Sequence, residues 1–171
     1  RLPPIRLAIF GSGPDVAPML EVCEPLGWQA HVIRMPGQDV AADLPCTPHD
    51  FSAAGPALFA PDERTAALAV SHSLGPDLLA LRHMLRAPYG YRGLVGPRAR
   101  RDGLLGELAE REPELLETAA EHLHAPAGLD IGAHEPGEVA VSIIAEMQAH
   151  FASRVGRSLR DKRGAIHAPS L

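Results

Sequence analysis

Arg6-Leu7-Ala8-Ile9-Phe10-Gly11-Ser12-Gly13-Pro14-Asp15-Val16-Ala17 is the stretch on which the reading of this chain turns. A short apolar run stops at Gly-Ser-Gly, and residues at helical spacing follow. Strand, glycine turn and helix together open a dinucleotide-binding α/β fold. In that reading Gly11 makes the tight turn, and Gly13, having no Cβ, lets a phosphate approach the backbone. The helix behind them offers free N–H groups and the positive end of its dipole. An anion is therefore expected at Gly11-Ser12-Gly13. The fingerprint is incomplete, because the third glycine would fall at Val16 and Pro14 removes one amide from the turn. A strand–helix turn that binds nothing has the same sequence, so the motif alone leaves both readings open.

Working outward, Val16, Met19, Leu20, Cys23 and Leu26 predict a helix over Asp15–Leu26, closed by Gly27. Trp28 to Ile33 reads as a second strand that ends at Arg34. Dinucleotide-binding folds place an Asp or Glu there for the ribose 2′-hydroxyl. A guanidinium suits a 2′-phosphate better, although a solvated Arg at a strand end is the plainer alternative. Residues Met35 to Asp62, rich in Pro, Gly, Ala and Asp, are expected to be irregular, with a short strand near Ala57–Phe59 and with His49 and Asp50 as surface polar groups. Thr65 to Ser71 is continuously apolar in character, as a buried parallel strand should be. His72 stands at its carboxyl end, where open α/β sheets bind ligands, or simply starts the next helix. That helix should run from Gly75-Pro76-Asp77 to Arg86 with Leu78, Leu79, Leu81, Met84 and Leu85 inward.

Tyr89 to Gly96 reads as a further strand entering a glycine turn, and Pro97-Arg98-Ala99-Arg100-Arg101 follows. Gly96, a helix start and the Arg98 guanidinium would form a second anion site. The alternative is an ordinary solvated first turn, but cations are unfavourable at that end of a helix dipole. Helices are expected over Arg98–Glu110 and Pro113–Leu123. His122, His124 and His134 invite a metal site, yet their spacing specifies no tetrahedral set. Gly128 and Gly132 bracket Leu129-Asp130-Ile131. An ionised carboxylate between apolar residues needs partners, so Asp130 is expected to accept backbone amides or to pair with Arg98 and fix the loop. The last strong helix should cover Glu138–Phe151, with Pro136 at its first position and Val139, Val141, Ile143, Ile144 and Met147 forming a broad apolar face.

The chain has 171 residues, enough for one domain, read as residues 1–156 followed by a loosely ordered tail over 157–171. Such a domain buries roughly 70% of its unfolded surface. A formal net charge of −5 argues against a general nucleic-acid binder, despite local basic clusters at Arg98, Arg100 and Arg101 and from Arg154 to Arg163. Cys23 and Cys46 form no C-x-x-C pair, which suits two reduced cysteines in a cytoplasmic protein. No apolar run is long enough for a bilayer and no signal peptide opens the sequence, so no membrane partner is expected. Apolar runs alternating with helical segments predict an α/β three-layer sandwich with a mostly parallel sheet. Its strands should include Leu7–Phe10, His31–Arg34, Ala67–Ser71 and Tyr91–Val95.

These features coincide in one family. Gly128-Leu129-Asp130-Ile131-Gly132-Ala133, then Pro136 and Glu138-Val139-Ala140-Val141-Ser142-Ile143-Ile144-Ala145-Glu146-Met147, resemble the family pattern Gly-Leu-Asp-Ile-Gly-Ala and Pro-Glu-Glu-Ile-Ala-Val-Ser-Ile-x-Ala-Glu-Ile of XdhC/CoxI proteins. Tyr91 to Arg98 is similar to Tyr-Ile-Gly-Leu-Leu-Gly-Ser-Arg, and Ser71-His72-Ser73 to Thr-His-Asp. The likeness runs from Ile9 to about Gly156. Pro14-Asp15 stand where a single His is usual, Arg34 where Asp is frequent, and Ser73 where the motif has Asp. The family's amino-terminal domain is absent from this sequence, and its cysteine is not carried over to Cys23 or Cys46. The resemblance implies a Rossmann-like domain of an accessory protein for xanthine dehydrogenase and related molybdoenzymes, a chaperone rather than an enzyme. Such a protein binds molybdenum cofactor, as molybdopterin or its dinucleotide form, and protects it during sulfuration by a cysteine desulfurase. It then hands the cofactor to a molybdenum hydroxylase client, and a homodimer is expected. Gly11, Ser12, Gly13, Arg34, His72, Gly96, Arg98 and Asp130 are the implied cofactor-binding positions. Alternatives are an NADP-dependent oxidoreductase, with Arg34 reading the 2′-phosphate, and a degenerate Rossmann domain used for dimerisation. The oxidoreductase is less favoured, because no Tyr-x-x-x-Lys pair lies near a glycine turn.

Overall fold

The computed structural model describes residues 2–52 and 60–167. Within them a six-stranded sheet is built from β1 (Arg6–Phe10), β2 (Gln29–Arg34), β3 (His49–Asp50), β4 (Thr65–Ala69), β5 (Tyr91–Leu94) and β6 (Leu123–His124). The order is β3-β2-β1-β4-β5-β6, and every neighbouring pair is parallel. This is the doubly wound Rossmann-like α/β arrangement. Its switch point lies between β1 and β4, where the strand order reverses.

Helices α1 (Val16–Leu26), α2 (Leu74–Arg86), α3 (Arg98–Arg111), α4 (Leu116–His122) and α5 (Pro136–Phe151) cover both faces. The side-chain alternation of β1 separates the two layers of core. Leu7 and Ile9 pack with Val16, Met19 and Cys23 of α1 and with Ile143 and Met147 of α5. Ala8 and Phe10 face the other way, onto Leu81 and Met84 of α2, Leu104 and Leu108 of α3 and Ala119 of α4. Each fully buried Leu, Ile or Phe contributes roughly 1.5–3 kcal/mol of burial. Strand β4 reads Thr-Ala-Ala-Leu-Ala and is buried at every position, as a central strand covered on both faces must be. Helix α1 ends at Gly27, whose φ of 68° lets its N–H reach the carbonyls of Cys23 and Glu24. No helix among the described residues is long and apolar enough to cross a membrane.

The segment Met35–Asp62 is not wholly irregular. His49 and Asp50 form β3, in register with Ile33 and Arg34. A two-residue strand carries no periodicity, so its pattern is invisible in the sequence. The strand expected near Ala57–Phe59 lies outside the described residues. Likewise Leu123 and His124, expected at a helix end, form β6 beside Arg92 and Gly93. The helix expected over Pro113–Leu123 is a 3-10 turn (Pro113–Leu115) followed by α4. On α5, Val141 is half exposed while Ala140, Ile143, Ile144 and Met147 are buried, so the apolar face is narrower than expected.

Candidate functional site at the carboxyl edge of the sheet

The chains leaving β1 and β4 pass very close at the switch point. Gly11 has φ +116°, and a Cβ there would lie 2.7 Å from the backbone of Ser71. Gly11 is therefore required by the meeting of two strand exits, and its own N–H is engaged by the Ile33 carbonyl at 2.9 Å. At Gly13 the obstacle to a side chain is another side chain: a Cβ would lie 2.8 Å from Cδ2 and Nε2 of His72. His72 has φ 57°, a conformation disfavoured for a residue with a side chain and common at functional sites. Its Nε2 stands 3.5 Å from Oδ2 of Asp15, which is almost wholly buried. Asp15 holds the N-cap position of α1 yet makes no side-chain capping bond; its carboxylate faces the imidazole instead. The N–H groups of Ser12 and Gly13 have no partner among the described residues. The turn thus presents two amides and an imidazole, in place of the open three-glycine cradle.

A polar network underlies this turn. Asp77 of α2 is fully buried. Its Oδ1 accepts the N–H of Ser71 at 2.9 Å and the Ser71 hydroxyl at 2.5 Å. Its Oδ2 lies 3.5 Å from Nη1 of Arg100, and the Ser71 carbonyl accepts the Gln38 amide at 3.0 Å. The loop after β2, the exit of β4 and the first turn of α3 are thereby joined. Gly96 has φ +139°, with the Arg100 guanidinium 3.4 Å from where its Cβ would be. The cation held against the second glycine turn is therefore Arg100. Arg98 is exposed and makes no hydrogen bond or ion pair among the described residues. Asp77 was legible in principle, since it shares the helical face of Leu81, Met84 and Leu85. A carboxylate at an apolar position signals a buried partner.

At the end of β2, Nη1 of Arg34 is 2.8 Å from Oδ1 of Asp50, its register partner on β3. The two flank a cavity of about 640 Å³ that also includes Gly37, Gln38 and Phe51. The Oε1 atom of Gln38 is buried and has no hydrogen-bond partner among the described residues.

Asp130 corrects the expectation placed on it. It is exposed, with no ion pair to Arg98 and no accepted amide among the described residues. The loop it sits in is held from α5. Gly128 N–H donates to Oε1 of Glu146 at 3.1 Å, the Ser142 hydroxyl donates to the Leu129 carbonyl at 2.6 Å, and Leu129 N–H donates to the Ser142 carbonyl at 3.2 Å. Glu146 also accepts the Tyr91 hydroxyl at 2.6 Å and lies 3.4 Å from Nδ1 of His124, which stacks on Tyr91 with ring centroids 4.4 Å apart. Burial opposes ionisation of Glu146, but the hydrogen bonds from His124, Tyr91 and Gly128 outweigh it and bring the carboxyl down to about 2. Among the described residues no group of three or more His, Cys, Asp or Glu is placed to hold a metal ion. Cys23 and Cys46 are free thiols; burial pushes Cys23 up to about 12 and Cys46 upward.

Comparison with known proteins agrees with this architecture. Residues 7–147 match the XdhC Rossmann domain. Over 155 residues the chain is 28% identical to a probable xanthine dehydrogenase subunit of Bacillus subtilis, covering 85% of this chain and 42% of that protein. A shorter match, 37% identical over 71 residues, covers 42% of this chain and 13% of the uncharacterised protein YqeB of Escherichia coli. Among solved structures, a xanthine dehydrogenase from Bacillus halodurans superposes with a TM-score of 0.67 at 28% identity, over 88% of this chain and 45% of that one. The chain spans less than half the length of these relatives. With the fold, the glycine turns and a family match over most of its length, the chain belongs to the XdhC family, whose Rossmann domain it carries.

Proposed function

We propose that this domain holds molybdenum cofactor, as molybdopterin or its dinucleotide form, at the carboxyl edge of its sheet. It serves as a cytoplasmic chaperone, working as a homodimer. It keeps the cofactor during sulfuration by a cysteine desulfurase and passes it to a molybdenum hydroxylase of the xanthine dehydrogenase or CO dehydrogenase type. The observation that carries this reading is at the switch-point turn: the Ser12 and Gly13 N–H groups have no partner among the described residues, and the His72 imidazole stands against Gly13. A pterin phosphate fits that donor set, since amides and an imidazole recognise oxyanions without requiring a wide pocket. The nearby Asp15 carboxylate opposes a second negative charge unless His72 shields it. Arg100 stands at the neighbouring turn, its guanidinium paired with the buried Asp77. The cofactor brings the redox chemistry that its client enzyme uses; the residues here bind, shield and release it. The alternative oxidoreductase reading leaned on Arg34, whose guanidinium already has a carboxylate partner in Asp50.

Native mass spectrometry of the protein produced in a molybdenum-replete host tests this directly, with pterin fluorescence after oxidation as a second readout. A bound mass matching a molybdenum pterin is expected, and Gly13→Leu, which displaces His72 from the turn, should lose it while the circular dichroism spectrum is retained. Protein free of pterin, or a Gly13→Leu variant as fully loaded as the parent, would refute the proposal.

A further inference from the structure

We infer that the cavity between the outer side of α5 and the segment 154–167 binds an aliphatic carboxylate, an unbranched chain of the fatty-acid class whose anionic head sits among arginines. None of the positions assigned to the pterin lines this cavity, so the two sites stand or fall separately. The segment is shaped locally. Ser153 has φ 52° and Gly156 φ 68°, both in the left-handed region, so the chain turns instead of continuing α5. The turn is held by the Ser153 N–H, which donates to the His150 carbonyl at 3.0 Å, and by the Arg154 N–H, which donates to the Ala149 carbonyl at 2.7 Å. A Cβ on Gly156 would lie 3.3 Å from both terminal methyls of Leu129, which places the segment against the loop after β6. Farther on, Leu159–Asp161 form a 3-10 turn and the Lys162 ammonium donates to the Ile166 carbonyl. Folded this way, the segment faces Ala145 and Ala149 of α5 across a cavity of about 850 Å³. Those two alanines lie off the face of α5 that packs on β1 through Ile143 and Met147.

Ligand cavities of this size are mostly apolar, with a few charged groups that set orientation. Val155, Leu159 and Ile166 line the cavity, yet they are 76%, 61% and 55% exposed. Three large apolar side chains in one short segment are thus left to water, and an alkyl chain laid along them would remove that surface. The charges choose the head group. Arg154, Arg157 and Lys162 line the same cavity, and the one carboxylate among its described lining residues is Asp161, 3.5 Å from Arg160. Arg154 and Arg157 have no ion pair among the described residues. A guanidinium receives a carboxylate through two parallel N–H···O bonds. A cationic amphiphile meets repulsion at the same place. A sugar or nucleotide would set its hydroxyls against methyl groups, where they find no partner.

Nuclear magnetic resonance titration of the isotopically labelled full chain tests the site. The probes are octanoate, decanoate and dodecanoate below their micelle concentrations, with dodecyltrimethylammonium as the cationic counterpart. Saturable binding of one molecule per chain is expected, with shifts at the amides of Ala149, Val155 and Leu159. Affinity should rise about fourfold per added methylene. Dodecyltrimethylammonium should bind about tenfold more weakly than dodecanoate, or less tightly still. The double variant Arg154→Glu with Arg157→Glu should reverse the order of the two head groups while keeping the dependence on chain length. Leu159→Asp should weaken dodecanoate about tenfold, and because all three residues are exposed the circular dichroism spectrum should not change. Affinity independent of chain length, equal binding of the two head groups by the parent, or shifts confined to other regions would overturn the site. So would the absence of a saturable site. If that absence came with a dimer in sedimentation that dissociates in Leu159→Asp, the face would belong to a second copy of the chain instead.

Discussion

The carboxylate of Glu146 accepts the N–H of Gly128 at 3.1 Å and so ties the middle of α5 to the loop that leaves β6. Because the same oxygen accepts the Tyr91 hydroxyl, one side chain joins helix, loop and sheet. Glu146→Gln keeps the shape but weakens three charge-assisted contacts. After allowance for solvent screening, about 1–2 kcal/mol of stability should be lost, a fall in Tm of about 3–6 °C by calorimetry. The sign with pH follows from a folded value near 2 against an ordinary value of 4.5. The contribution is fully present above 4.5 and is lost as pH falls toward 2, and the variant should lack that part of the acid transition.

Asp130 should be nearly silent in stability. It is exposed and unpartnered among the described residues, so Asp130→Asn is expected to melt within about 0.5 kcal/mol of the parent in a urea titration. A loss comparable to that of Glu146→Gln would mean that the loop relies on Asp130 after all.

Asp77 should be costly to truncate. Asp77→Ala leaves the Ser71 N–H without its buried acceptor and Arg100 without its counter-charge. About 3 kcal/mol or more of destabilisation is expected from denaturant midpoints. Asp77→Asn, which keeps one acceptor, should cost less.

The two glycines of the first turn should respond differently to Ala. In Gly11→Ala the new Cβ meets backbone atoms of Ser71 at 2.7 Å with φ +116°, and neither strand exit can yield. Denaturation should show a loss of several kcal/mol, on the order of 3. In Gly13→Ala the obstacle is the imidazole of His72, a side chain partly open to solvent that can rotate away. Stability should change by about 1 kcal/mol or less, while the His72 ring resonances shift as the ring leaves Asp15.

The sequence by itself determined the layered parallel fold. Apolar runs such as Leu7–Phe10 and Thr65–Ser71 and the helical spacing of Val16, Met19, Leu20 and Cys23 are local periodic signals, and burial on one or both faces is what local periodicity encodes. It also marked the carboxyl-edge turns, because Gly11, Gly13 and Gly96 stand where strands give way to helices. What only the tertiary structure decided are partnerships between distant segments: Asp50 with Arg34, Asp77 with Ser71 and Arg100, His72 over Gly13 beside Asp15, and Glu146 rather than Asp130 on the loop at Gly128. Strands β3 and β6, two residues each, belong with these. Their existence depends on the neighbouring strand edge offering its hydrogen bonds, a condition set by packing and absent from any local pattern.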